Sequence, residues 1–140
     1  MPSTHTITRR VEFSETDLAG IMHFSNFFKF METAEHSFYR ELGLKLVTRN
    51  ADGSSIGWPR VNASCEYKRA LKFEDEVDVT LKVAKKTDKA ITYDFLFRKK
   101  GETEDAARGS ITIVCCSFRE GRMQATFIPK DFSDKLEVAG

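Results

Sequence analysis

Two spacings of apolar side chains divide this chain. Between residues 26 and 42, Phe27, Phe30, Met31, Ala34, Phe38 and Leu42 recur at steps of three and four. This predicts one helix, starting at about Ser25 or Asn26, both good N-cap types, and ending at Leu42 with Gly43 as its stop. The apolar stripe is its buried face. Elsewhere the period is two. Thr6 to Phe13 reads as a first strand. After the helix, Val61, Ala63, Cys65 and Tyr67 alternate with polar residues, as do Val77, Val79, Leu81 and Val83, and then Ile91, Tyr93, Phe95 and Phe97. A last long strand is expected from about Ala106 to Phe118, a turn at Glu120-Gly121, and a final strand from Met123 to Ile128 ended by Pro129. Lys45 to Gly57, rich in Asn, Asp, Gly and Ser, reads as the longest irregular connection, and Lys130 to Gly140 as a weakly held tail.

A strand, one long helix and then about five strands predict an α+β domain whose sheet must cover a single apolar helix. One helix covers little of such a sheet. A homodimer or homotetramer is therefore expected, with sheet edges paired or apolar surface buried against a second copy. All 140 residues are read as one domain, with an ordered core of about 4–129.

Composition narrows the partners. With 22 basic and 21 acidic side chains the net charge is +1, so no overall field favours nucleic acid or an anionic membrane. Residues 1–10 lack the apolar run of a secretory leader, and no later run is long enough to cross a bilayer. The three cysteines, Cys65, Cys115 and Cys116, show neither disulfide nor metal-ligand spacing, which fits a reducing, cytoplasmic setting. GxSxG, HExxH, GxxxxGK[ST] and a strand-GxGxxG-helix unit are all absent, which disfavours serine hydrolases, zinc proteases, P-loop enzymes and Rossmann oxidoreductases.

The chemistry concentrates between the first strand and the helix. Asp17, in the turn Thr16-Asp17-Leu18-Ala19-Gly20, reads either as an Asx-turn former or as a carboxylate beside the free N–H groups of a helix start. In the second case it serves as base or nucleophile for acyl chemistry, with those N–H groups stabilising an oxyanion. His23 either orients Asp17 and polarises a carbonyl or is a packing histidine. Glu32 lies about 140° round the helix from Phe27, near the edge of the stripe, where a solvated face is the plain alternative. Glu35 falls inside the apolar arc of Phe28, Met31 and Leu42, at the end of the stripe or turned to a pocket. Gly20 is read as a positive-φ turn residue or a point of close ligand approach. The basic groups Tyr67-Lys68-Arg69 with Lys72, Lys85-Lys86 with Lys89, and Arg98-Lys99-Lys100 are hairpin-end charges or phosphate contacts for a nucleotide-bearing substrate.

The chain resembles the hotdog-fold acyl-CoA thioesterases of the 4-hydroxybenzoyl-CoA thioesterase type. The resemblance rests on Val11 to Phe13, Thr16-Asp17, Gly20-Ile21, His23, Asn26-Phe27, Glu32, Pro59-Arg60-Val61 and Glu66 to Glu76. It implies an antiparallel sheet of five to six strands wrapped around one long central helix. It further implies an acyl-CoA substrate lying at a dimer interface, no metal or redox cofactor, and coenzyme A only as part of the substrate. Asp17, His23 and Glu32 would be the catalytic group. Gly20, Phe24, Ser25, Phe27, Phe28, Lys68 and Arg69 would bind substrate, and the amides of about residues 23–25 would hold the oxyanion. The chain departs from many relatives at Phe24, where they carry histidine, and at Glu35, where they carry arginine. The first departure implies a more apolar acyl pocket and shifts weight from histidine to Asp17. The phenylalanine-rich helix start leans toward aryl or hydroxyaryl acyl groups, the 1,4-dihydroxy-2-naphthoyl thioester among them. The rival readings are an acyl-carrier-protein thioesterase, meeting its carrier through Arg98 to Lys100, and a non-catalytic acyl-CoA-binding protein.

Overall fold

A computed structural model describes residues 3–139. Strand β1 (Thr4–Arg10) leads through a 3-10 turn (Phe13–Glu15) to helix α1 (Asn26–Leu42). Then come β2 (Thr48–Arg49), β3 (Ser55–Gly57), β4 (Arg60–Tyr67), β5 (Glu76–Lys86), β6 (Ala90–Lys99), β7 (Ala107–Val114), β8 (Cys116–Arg119), β9 (Arg122–Ala125) and a short helix α2 (Lys130–Ser133). The long strands form one antiparallel sheet in the order β1-β5-β6-β7-β4, and β2-β3-β8-β9 form a smaller one.

The period of two in β5 and β6 is the inward face of the large sheet. Val77, Val79, Leu81 and Val83 are buried with Ile91, Tyr93, Phe95 and Phe97, and the register sets Val79 against Phe97 and Leu81 against Phe95. Against this face α1 buries Phe27, Phe30, Met31, Ala34 and Phe38, the four larger ones contributing about 2 kcal/mol each of apolar transfer. The helix ends as expected. Gly43 takes φ +72°, its N–H reaches Arg40 O, and Leu44 N–H reaches Tyr39 O, a Schellman closure. Opposite Phe95 in β7, Gly109 lets the helix approach, since a Cβ there would collide with the Met31 side chain and press on Ser64 O.

The expected boundaries change at several places, and the last strand, β9, already ends at Ala125 rather than at Ile128. β1 stops at Arg10 because Glu12 N–H donates to the Glu15 carboxylate (2.8 Å), closing a turn that leaves Phe13 75% exposed. The single strand from 106 to 118 breaks at Cys115, whose N–H bonds Lys89 O and whose carbonyl accepts from Thr126, so β7 and β8 join different sheets. Between Lys45 and Gly57, β2 and β3 form a small hairpin around Gly53. The weakly held tail from Lys130 is corrected for residues 130–136. Phe132 packs on Trp58 and Tyr39, Leu136 is fully buried, and Lys86 Nζ donates to Ser133 O (2.9 Å) and Leu136 O (2.7 Å). The Glu120-Gly121 turn is as expected, both residues having positive φ. No helix among the described residues is long and apolar enough to cross a membrane.

The close approach at Gly109 sets a test. Gly109→Val should lower unfolding stability by about 2 kcal/mol through overpacking against Met31, despite valine's preference for strands. An unchanged urea midpoint would show that helix and sheet are not in the contact described.

Candidate active site

The turn after β1 is built by backbone bonds. Asp17 N–H donates to Ile21 O (2.9 Å), Gly20 N–H to Asp17 O (3.0 Å), and Ala19 N–H to Asp17 Oδ1 (2.9 Å). Gly20 has φ +83°, the left-handed region that favours glycine, and no atom lies within 4 Å of where its Cβ would be. The turn is then tied across the molecule. Met22 N–H donates to Leu71 O (2.7 Å), and Ile21 bridges Lys72. The segment after β4 is held in turn by Lys68 and Arg69 N–H groups, both donating to Ala106 O.

Between these two segments lies a cavity of about 380 Å³. Asp17, Ile21, Met22, Phe24 and Phe27 line it from the turn and helix start; Tyr67, Lys68, Arg69, Ala70 and Leu71 line it from the end of β4. Asp17 both closes the Asx turn and lines the cavity. One carboxylate oxygen accepts from the Asx turn, while the half-buried residue faces the cavity. Three aromatic rings stand beside it. Tyr67 meets Phe27 edge to face at 4.9 Å and 80°, and Phe24 at 6.5 Å and 82°.

The helix start supplies the donors. His23 N–H is used by Glu15 O (2.8 Å) and Ser25 N–H by His23 Nδ1 (3.3 Å), whereas Phe24 N–H has no hydrogen-bond partner among the described residues. The Ser25 hydroxyl caps no helical amide and instead lies 2.8 Å from His23 Nδ1. Since Nδ1 accepts the Ser25 N–H, the ring proton is assigned to Nε2.

Of the residues predicted from sequence, the fold brings Asp17, Phe24, Phe27, Lys68 and Arg69 to one cavity. Gly20 shapes the turn, and His23 and Ser25 bond each other beside the helix start. Phe28, partly buried, packs against the core, and Glu32 is exposed, 3.4 Å from Arg60 Nη2. Arg69 is engaged by Glu104. Ile21, Met22, Tyr67, Ala70 and Leu71 are cavity walls that the sequence reading did not single out, Tyr67 because it reads as the head of a basic cluster.

A second cluster lies along α1. Glu35 is 1% exposed and pairs bidentately with Arg60, which stands at the start of β4 beside a register shift in its ladder. Tyr39 O–H donates weakly to Glu35 (3.4 Å), and the Tyr39 and Tyr93 hydroxyls are 2.6 Å apart. His36 Nε2 is buried without a hydrogen bond among the described residues, 3.8 Å from Glu35 Oε1. Burial pushes the Glu35 carboxyl above the ordinary carboxylate range, outweighing the hydrogen bond and charge of Arg60, which pull it down. Burial likewise raises Tyr39 and Tyr93.

Residues 11–136 match the thioesterase-like superfamily. A 1,4-dihydroxy-2-naphthoyl-CoA hydrolase of Prochlorococcus marinus (strain NATL2A) is 30% identical over 102 residues, 69% of this chain and 66% of that one. A solved gentisyl-coenzyme A thioesterase superposes with a TM-score of 0.75 at 30% identity, over 91% of this chain and 98% of that one. A solved 1,4-dihydroxy-2-naphthoyl-CoA thioesterase from Synechocystis superposes with a TM-score of 0.83 at 21% identity, over 94% of each chain, a likeness of fold. The fold is the hotdog, an antiparallel sheet around one main helix. The chain belongs to the thioesterase-like superfamily, and thioester hydrolysis is its reaction class.

The sign of the Glu35 shift yields a prediction. A carboxyl whose folded pKa is raised contributes stability that is complete below its unfolded value and is lost as pH rises through the folded value. In unfolding measured from about pH 4 to pH 7, the native protein should therefore lose stability relative to Glu35→Gln as pH rises. A relative gain over that window would mean that the attraction of Arg60 outweighs burial.

Proposed function

We propose that this chain hydrolyses acyl-CoA thioesters, and that the reaction takes place in the cavity between the Asp17 turn and the end of β4. One observation carries the reading: the Asp17 carboxylate shares this cavity with a helix-start segment whose Phe24 N–H is uncommitted. The Asx turn holds one carboxylate oxygen and leaves the other for chemistry. That oxygen either takes a proton from water as the water adds to the thioester carbonyl, or itself attacks the carbon. The carbonyl oxygen gains negative charge and is met by Phe24 N–H at the positive end of α1. Collapse breaks the C–S bond and the thiolate of coenzyme A leaves. On the general-base route it takes up the proton that Asp17 removed from water and the free acid is released, whereas on the nucleophilic route the acyl group is left on Asp17 as an anhydride that a water molecule then hydrolyses to the free acid. His23, bonded to Ser25, steadies the helix start.

The acyl group would lie among Phe24, Phe27 and Tyr67. Perpendicular rings around an apolar cavity favour a flat aryl or hydroxyaryl group, as in the 4-hydroxybenzoyl type of substrate or the 1,4-dihydroxy-2-naphthoyl thioester. The names of the gentisyl and naphthoyl relatives support the same class. Lys68, which lines the cavity and makes no ion pair among the described residues, would meet the nucleotide phosphates. The carrier-protein reading gains no support, because Arg98, Lys99 and Lys100 are engaged by Asp105, Asp75 and Glu76. A homo-oligomer joined along β4 is part of this proposal, since that edge strand leaves Val61 60% exposed and shows a side without a ladder.

Asp17→Asn should fold normally and lose about 10² to 10⁴ in turnover. The check is a panel of aryl, short-chain and long-chain acyl-CoA esters, with thiol release followed for native and variant proteins side by side. Full activity of the variant on every ester that the native protein cleaves would refute the mechanism. Binding without thiol release across the panel would instead select a non-catalytic acyl-CoA-binding protein.

A further inference from the structure

The end of β4 does more than wall the cavity. Tyr67 is the last residue of this edge strand, and its hydroxyl donates to the carbonyl of Phe24 at 3.1 Å. That carbonyl belongs to the residue whose N–H is uncommitted. Its neighbours are held, His23 N–H by Glu15 O and Asn26 N–H by His23 O, whereas Phe24 itself is less engaged. It is 61% exposed, its ring stacks on His23, and its carbonyl otherwise receives only a long bond of 3.4 Å from Phe27 N–H. The usual device for ordering a helix start, an N-cap side chain bonded to a first-turn amide, is missing, because Ser25 turns its hydroxyl to His23. Tyr67 therefore adds, from outside the helix, a direct hold on the Phe24 carbonyl to the bonds that secure His23 and Ser25 on either side of it.

The strand is placed to do so. Arg60, at its other end, is clamped by Glu35 and Glu32 of the same helix. β4 is thus tied to α1 twice, once at mid-helix through Arg60 and once at the helix start through Tyr67.

We propose that the Tyr67 hydroxyl is a positioning residue that holds Phe24, and with it the Phe24 amide, in the orientation that receives the thioester oxygen. This rests on the hydrolase reading and adds to it a residue that touches no reacting atom. An oriented donor aids the transition state more than the ground state, so losing the restraint lowers turnover and leaves substrate affinity alone.

Tyr67→Phe removes the hydroxyl and keeps the ring that borders Phe24 and Phe27. Measured on the best aryl-CoA substrate of the native protein, kcat should fall about tenfold, with KM and the urea midpoint unchanged. Tyr67→Leu, which also removes the ring, should in addition raise KM. Native kcat in Tyr67→Phe would overturn the proposal, as would a fall in kcat matched by a lowered midpoint or by a raised KM. Asp17→Asn run alongside separates the two claims. An inactive Asp17→Asn with a fully active Tyr67→Phe removes only the role of Tyr67, whereas an active Asp17→Asn removes the hydrolase mechanism itself.

Discussion

The structure depends on burying one face of a single helix. Five apolar side chains of α1 need a surface, and the inward residues of β5 and β6 provide it, with Gly109 making room for Met31. Once the helix lies there, its N-terminus has to emerge beside the end of β4 and the loop that follows. The cavity is the space left between a helix start fixed by packing and a loop fixed by the sheet. Its two walls are joined at the Ile21–Lys72 bridge, where Met22 N–H donates to Leu71 O.

The same burial explains the polar cluster at mid-helix. A helix wide enough in its apolar face to be covered by a sheet carries Glu35 inside, and a carboxylate there is costly unless paired. Arg60 supplies the pair from β4, the edge strand of the large sheet. The resemblance to the 4-hydroxybenzoyl type singled out Glu35 as a departure; the fold shows it matched by an arginine 25 residues away.

What was readable in the sequence follows what is local. The helix from Asn26 to Leu42 with its Gly43 stop, the alternation of β5 and β6, and the Glu120-Gly121 turn all leave a mark within a few residues. Val11 and Phe13 continue a strand-like alternation, but Glu12 and Glu15 bond each other and close a turn, a pairing the alternation hides. Cys115 looks like mid-strand because the change of sheet depends on Lys89 and Thr126. Phe132 and Leu136, set among five charged residues, read as tail, and only the fold reveals the Trp58 and Tyr39 rings that cover Phe132. The site divides in the same way. Asp17, Phe24 and Phe27 sit in one segment and could be read together, whereas Tyr67 and Leu71 arrive from about forty residues on.

In the proposed mechanism a thioester sits between Asp17 and the Phe24 amide. A crystal structure with a non-hydrolysable aryl-CoA analogue is the decisive measurement. The analogue's carbonyl oxygen should lie about 3 Å from Phe24 N, with the carbonyl carbon facing the free oxygen of Asp17. An aryl group bound instead on the polar outer face of the sheet, where Lys82, Asp94, Arg98 and Arg108 line a second cavity, would contradict it.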